Sequence, residues 1–227
     1  LTVPALVYLV GQSPQTAVTT SLAIVGINSL SGAFFHHQKN EVNWRIALLF
    51  GAAGILTAFF GAGLSAAIPS EILLVFFAAL MTFVALHMLL TVRNPHQEPA
   101  QEYNLLVILA TGAGVGLMTG FFGVGGGFLI IPALVILVGL PMAQAIGTSL
   151  IIISFNSLSG FIGHLQYATF DIPLVIVFSL AGSLGVFLGS WFCHKLPGKT
   201  LRITFASFVL ILALYLFWDN LPKLFSV

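Results

Sequence analysis

Residues 143–164 read AQAIGTSLIIISFNSLSGFIGH. A charge-free run of this length can cross a bilayer as one helix, because the hydrocarbon core is about 30 Å thick and a helix rises about 1.5 Å per residue. The run also carries a pattern. At about 100° per residue, Ser149, Asn156, Gly160 and Gly163 fall in one narrow stripe, flanked by Ser157 and Ser159, with His164 at its edge. Small residues with an amide among them suit either close helix packing with interhelical hydrogen bonds or a hydrated path. Residues 15–36 read QTAVTTSLAIVGINSLSGAFFH and repeat the pattern at an offset of 128. Thr20-Ser21-Leu22 lands on Thr148-Ser149-Leu150, Asn28-Ser29-Leu30-Ser31-Gly32 on Asn156 to Gly160, and His36 on His164.

The correspondence extends in both directions. Leu1 to Val7 lands on Leu129 to Val135, and Gly54, Gly61 and Pro69 meet Gly182, Gly189 and Pro197. Twenty of the first 38 positions are identical, and the matches include Asn, Ser, Thr, His and Gln, which apolar bias alone does not align. The chain reads as a tandem duplication. Of its 227 residues 59% are hydrophobic and 6% charged, against roughly 25% charged in an ordinary globular domain. Thirteen charged side chains cannot cover a soluble protein of this size. That excludes a soluble enzyme and a disordered chain, and the net charge of +1 without a basic patch excludes a nucleic-acid partner. The single Cys193 excludes an internal disulfide framework and a cysteine-rich metal site.

The fold class is therefore all-α, a polytopic helical membrane protein. Spans are expected at about 15–35, 44–67, 71–92, 104–122, 143–165, 171–193 and 201–218, with 1–10 and 128–138 too short to cross alone. A porin-type barrel would alternate polar and apolar residues, which these runs do not. The Pro-containing segment RNPHQEPAQEY reads as the linker, so the expected organisation is a first repeat at 1–92, a linker at 93–103 and a second repeat at 104–227. Duplicated halves are a common construction of secondary transporters, with the substrate where the repeats meet. If the 104–138 element crosses an even number of times, six of the seven basic residues share one face and Lys223 lies opposite. That split favours inverted repeats, with Lys39 and Lys195 both cytoplasmic.

Between two spans lies Gly123-Val-Gly-Gly-Gly127, with Pro132 five positions on. A glycine run unwinds a helix, and unwound backbone at membrane depth is tolerated only where protein or a water-filled cavity surrounds it. The helix restarting at Phe128 would present free N–H groups and a positive dipole end, which suit an anion. A flexible turn between packed helices is the structural alternative. Gly112, Gly116 and Gly120, at GxxxG spacing, read as packing positions. All six carboxylates lie in loops or at span ends, so a mid-membrane acidic relay is not expected. His36 and His164 read as interfacial residues without a carboxylate partner, and neither HExxH nor paired acidic ligands mark a metal site. No cofactor is expected.

The glycine run with Pro132, Ala145-Ile-Gly-Thr-Ser149 and Asn156-Ser-Leu-Ser-Gly160 together resemble the TauE/SafE family of sulfite and organosulfonate exporters, over essentially the whole chain. The resemblance implies a multi-span permease that moves sulfite, sulfoacetate or related sulfur-containing anions, usually outward. The family's break maps onto Gly123, Gly125, Gly126 and Gly127, and its Thr-Ser pair onto Thr148 and Ser149, with Thr20 and Ser21 as the first copy. Adding the backbone at Phe128 and the amides of Asn156 and Asn28 completes the candidate substrate site. The expected partners are a small anion and the lipid bilayer of the inner cell membrane, and a homo-oligomer is compatible with the sequence. The offset places a twin of residues 103–128 before Leu1, so a first-half break is expected there. The competing readings are a passive anion channel and an intramembrane serine enzyme using Ser159. The Ser-Gly pair of the latter recurs in both repeats, where catalysis needs it once.

Overall fold

A computed structural model describes residue 6 and residues 10–12, 14–65, 70–90, 104–122, 127–164, 170–193 and 196–225. Eight helices run through the described residues: α1 (Pro14–His37), α2 (Trp44–Ser65), α3 (Ser70–Leu90), α4 (Leu105–Phe122), α5 (Gly127–Ile136), α6 (Met142–His164), α7 (Ile172–Cys193) and α8 (Gly198–Phe225). Four contain stretches long and apolar enough to span a membrane: Thr16–His37, Met142–Ile162, Ile172–Ser190 and Gly198–Trp218. Side chains such as Leu56, Phe60, Phe83 and Trp218 stand outward with more than half their surface exposed, an arrangement that suits lipid rather than water. The chain is a helical membrane protein. The linker at 93–103 and the break at Gly123–Gly126 lie outside the described residues.

Local chemistry starts the helices. Asn43 Oδ1 accepts from the Ile46 N–H at 3.1 Å, Asn104 Oδ1 from Leu106 at 2.9 Å and Asp171 Oδ1 from Leu174 at 3.2 Å. Each side chain satisfies one of the orphan donors of a first helical turn. Pro14 opens α1, where its missing N–H costs nothing. Ahead of α1 and of α6 the chain turns at a left-handed glycine: Gly11 has φ +76° and Gly139 φ +86°. The following N–H returns to a carbonyl six residues back, Gln12 to Leu6 at 3.1 Å and Leu140 to Leu134 at 2.9 Å. These turns are 128 residues apart. We expect Gly139→Ala to lower stability by roughly 1–2 kcal/mol, because a Cβ penalises this backbone conformation. The thermal midpoint of the purified protein in detergent measures it.

The chain packs as two compact units, Leu1–Ala47 with Gly147–His194 and Leu48–Ile146 with Lys195–Val227, each built from both halves of the sequence. In the first unit, α1 lies along α7 in the same direction. Ile24 packs with Val175, Gly32 faces Val186, and the Phe35 and Phe187 rings sit 5.3 Å apart. Against α6, its own copy by the 128 offset, α1 runs antiparallel: Leu22 meets Gly160, Gly26 meets Ser157, Gly32 meets Leu150 and His36 meets Gly147.

In the second unit, α8 packs on its copy α3, also antiparallel. The start of α8 lies at the end of α3, where Arg202 Nε donates to the Met88 carbonyl at 3.0 Å and Ala206 packs with Met88. Its later residues Val209 and Ala213 join Phe77, Met81 and Ala85. Beside them, α4 meets α2 through glycine. A Cβ at Gly112 would lie 2.6 Å from the Phe50 carbonyl oxygen, and Thr57 Oγ1 donates to the Ala113 carbonyl at 2.7 Å. Lipid tails are as apolar as leucine, so contacts of this closeness, rather than release of water, hold such helices together.

Candidate functional site

The Asn/Ser/Thr stripe belongs to the first unit. Thr20, Ser21, Thr148 and Ser149 are all buried, Thr20 and Thr148 completely. The two threonines do the same work in opposite directions. Thr148 Oγ1 on α6 accepts from the N–H of Asn43, the cap of α2, at 3.0 Å, and Thr20 Oγ1 on α1 accepts from the N–H of Asp171, the cap of α7, at 3.5 Å. Residues 20 and 148, and 43 and 171, are related by the offset of 128, so each half supplies a hydroxyl to a helix start of the other. One oxygen lone pair of each threonine is committed to architecture.

The two asparagines differ. Asn28 Oδ1 accepts from Ser183 Oγ at 3.3 Å, and Ser183 shares a second hydrogen bond with Ser31 at 3.2 Å. The amide fills the space that the missing side chain of Gly182 leaves, and a Cβ there would overlap the Asn28 Nδ2. Asn156, its copy, has a buried Oδ1 with no partner among the described residues. The position 128 before Ser183 is Ile55, which has no hydroxyl, and the copy of Gly182, Gly54, faces Gly112 and Gly116 of α4. Leaving a buried amide oxygen unpaired costs roughly 1–3 kcal/mol, so the Asn156 oxygen gains from any hydrogen-bond donor brought into the stripe. Ser179 Oγ, on α7 between the Val175 and Ser183 contacts, is likewise buried and unpartnered.

Of the glycine-rich residues, Gly123, Gly125 and Gly126 lie outside the described residues, while Gly127 and Phe128 open the ten-residue α5 of the second unit. Such a helix is about 15 Å long and does not cross a bilayer. Sequence reasoning missed Ser183, because the repeat search passes over a position whose copy is isoleucine. It also left His36 without an acidic partner. Glu41 Oε2 lies 2.7 Å from the Nδ1 of His36, which is 3% exposed. The reason is the end of α1. Asn40 adopts φ +57°, its N–H reaches the His37 carbonyl, and the Glu41 N–H reaches the His36 carbonyl at 3.0 Å. This Schellman cap swings the glutamate back over the histidine. An asparagine following the polar end of a helix was the available signal.

The family described as "Sulfite exporter TauE/SafE" matches residues 1–216. The chain belongs to the TauE/SafE family. A "Probable membrane transporter protein" of Xylella fastidiosa (strain 9a5c) is 32% identical over 99% of this chain and 88% of its own length. One from the Temecula1 strain is 34% identical over the same shares. The "Probable membrane transporter protein YdhB" of Bacillus subtilis is 30% identical over 83% of this chain and 78% of its own length. No solved structure matches. A TauE/SafE membrane transporter therefore carries this stripe.

Proposed function

We propose that this TauE/SafE protein is a secondary transporter, not an enzyme, that exports small anions, sulfite or organosulfonates, across the inner cell membrane. The observation that carries the reading is the stripe of buried serine and threonine hydroxyls around Asn156, whose amide makes no bond through its oxygen and has its Nδ2 as the donor an anion would take. Neutral donors without a mid-membrane carboxylate favour an anion over a cation. In this reading Gly123, Gly125, Gly126, Gly127 and Phe128 supply backbone N–H donors, on the sequence pattern alone. The reading takes the repeats as inverted, which the antiparallel packing of α1 on α6 and of α3 on α8, each pair related by the offset of 128, supports. Repeats related by an axis along the membrane normal would run such copies parallel.

Reconstitution of the full-length protein in liposomes tests the reading, with radiolabelled sulfite, sulfate, thiosulfate and sulfoacetate offered in turn. At least one of these anions is expected to enter with saturation and to be accelerated by unlabelled anion inside. Flux that stays linear with concentration would make the protein a channel, and no flux above protein-free vesicles would end the proposal.

A further inference from the structure

A carrier that moves an anion against its electrochemical gradient needs a second ion and a place for it. Two carboxylates have described side chains, Asp171 and Glu41. Asp171 caps α7, and Asn43 does the same for α2 without a charge, so that role does not call for an acid. Glu41 is different. Its carboxylate meets a buried imidazole at 2.7 Å, while its own side chain keeps 19% of its surface exposed, a short path to water. The position 128 further on is Thr169, so the duplicated architecture does not require a carboxylate here.

The pair also sits on the helix that matters for the ligand. A Cβ at Gly147 of α6 would overlap the Glu41 carbonyl oxygen and lie 2.9 Å from the His36 Cβ. The next residue, Thr148, holds the N–H of Asn43. The turn that carries Glu41 is thus seated directly on α6, one residue before Thr148-Ser149 and about two turns before Asn156. Around the pair, α1 itself adds His37, whose Nδ1 accepts from Trp44 Nε1 at 3.3 Å, the turn adds the exposed Lys39, and α2 adds the exposed Arg45. Among the described residues at this end, Gly147 and Thr148 of α6 and Val186 and Phe187 of α7 carry no titratable group.

We propose that the His36–Glu41 pair is a proton-binding site that couples proton movement to the seating of α6, and so to transport. The proposal rests on the transport reading above. With the carboxylate ionised and the imidazole protonated, attraction holds Glu41 folded back over His36, and with it the turn whose backbone carbonyl rests on Gly147. A further proton taken from water onto Glu41 Oε2 neutralises the carboxylate and removes that attraction, leaving the helix cap and the Asn43–Thr148 hydrogen bond to hold the turn. Release of the same proton to water restores the pair.

Two measurements on the full-length protein test this. In liposomes with the membrane potential clamped at zero, a one-unit pH difference is expected to let the wild type accumulate radiolabelled sulfoacetate about tenfold, the limit for one proton per anion. Glu41→Gln and His36→Gln should exchange sulfoacetate at equal pH on both sides but accumulate none. Infrared difference spectra of purified protein between acid and neutral pH need no substrate. They should show protonated-carboxyl absorption, one component of which is lost in Glu41→Gln and shifts in His36→Gln. Wild type that exchanges without accumulating, variants that accumulate like wild type, or a band unchanged in Glu41→Gln would each overturn the coupling. Wild type that exchanges no anion at all would count against the transport reading, and the infrared result then decides this one alone.

Discussion

Gly116→Val is expected to unseat α4 from α2. A Cβ at position 116 would overlap the carbonyl oxygen of Gly54 and lie 2.5 Å from both the Gly54 Cα and Thr57 Oγ1. Two of those three neighbours are backbone, so no rotamer change relieves the overlap and the helices must separate. Separation also removes the Thr57 hydrogen bond to the Ala113 carbonyl. Overpacking of a core costs typically 1–3 kcal/mol, and a clash with backbone belongs at the upper end of that range. The thermal midpoint in detergent should fall accordingly. Gly114 provides the control. A Cβ there meets nothing within 4 Å, and Gly114→Ala should leave stability unchanged or raise it by roughly 0.5–1 kcal/mol through backbone entropy. Equal midpoints for Gly116→Val and wild type would show that the α2–α4 contact is not held by these glycines.

The second large effect separates the two asparagines. Asn156→Leu should weaken anion binding by roughly 1–3 kcal/mol, the usual cost of a lost hydrogen-bond partner, here the Nδ2 donor, while leaving stability unchanged or higher because an unpaired buried oxygen is removed. Asn28→Leu should do the reverse. It breaks the hydrogen bond to Ser183 and costs stability of roughly 0.5–1.5 kcal/mol, with the affinity for the transported anion retained. Binding curves from saturable flux and thermal midpoints, taken on the same preparations, give both quantities. If folded Asn156→Leu protein transports with wild-type affinity, the stripe is interhelical glue and its place in the substrate site is lost.

Much of this protein was readable before any contact was known. Charge-poor runs of about 20 residues mark membrane helices because the solvent they face is uniform and the requirement is local. The caps at Asn43, Asn104 and Asp171 follow from residue type at a helix start. The identities at an offset of 128 include polar residues, and the left-handed turns at Gly11 and Gly139 lie at the same offset. The GxxxG spacing of Gly112 and Gly116 marked a packing face.

The sequence by itself determined the solvent, the helices and the residues a polar stripe would hold, since each depends on neighbours along the chain. It could not distinguish Asn28 from Asn156, which sit in identical Asn-Ser-Leu-Ser-Gly contexts. Only the tertiary structure decided that Asn28 is tied to Ser183 over Gly182, that the Asn156 oxygen is left without a partner, and that Glu41 folds back onto His36 over Gly147. The physical reason is that a hydrogen bond depends on which side chain the facing helix or turn brings within about 3 Å, and two copies of one sequence motif part company as soon as their surroundings differ by a single serine.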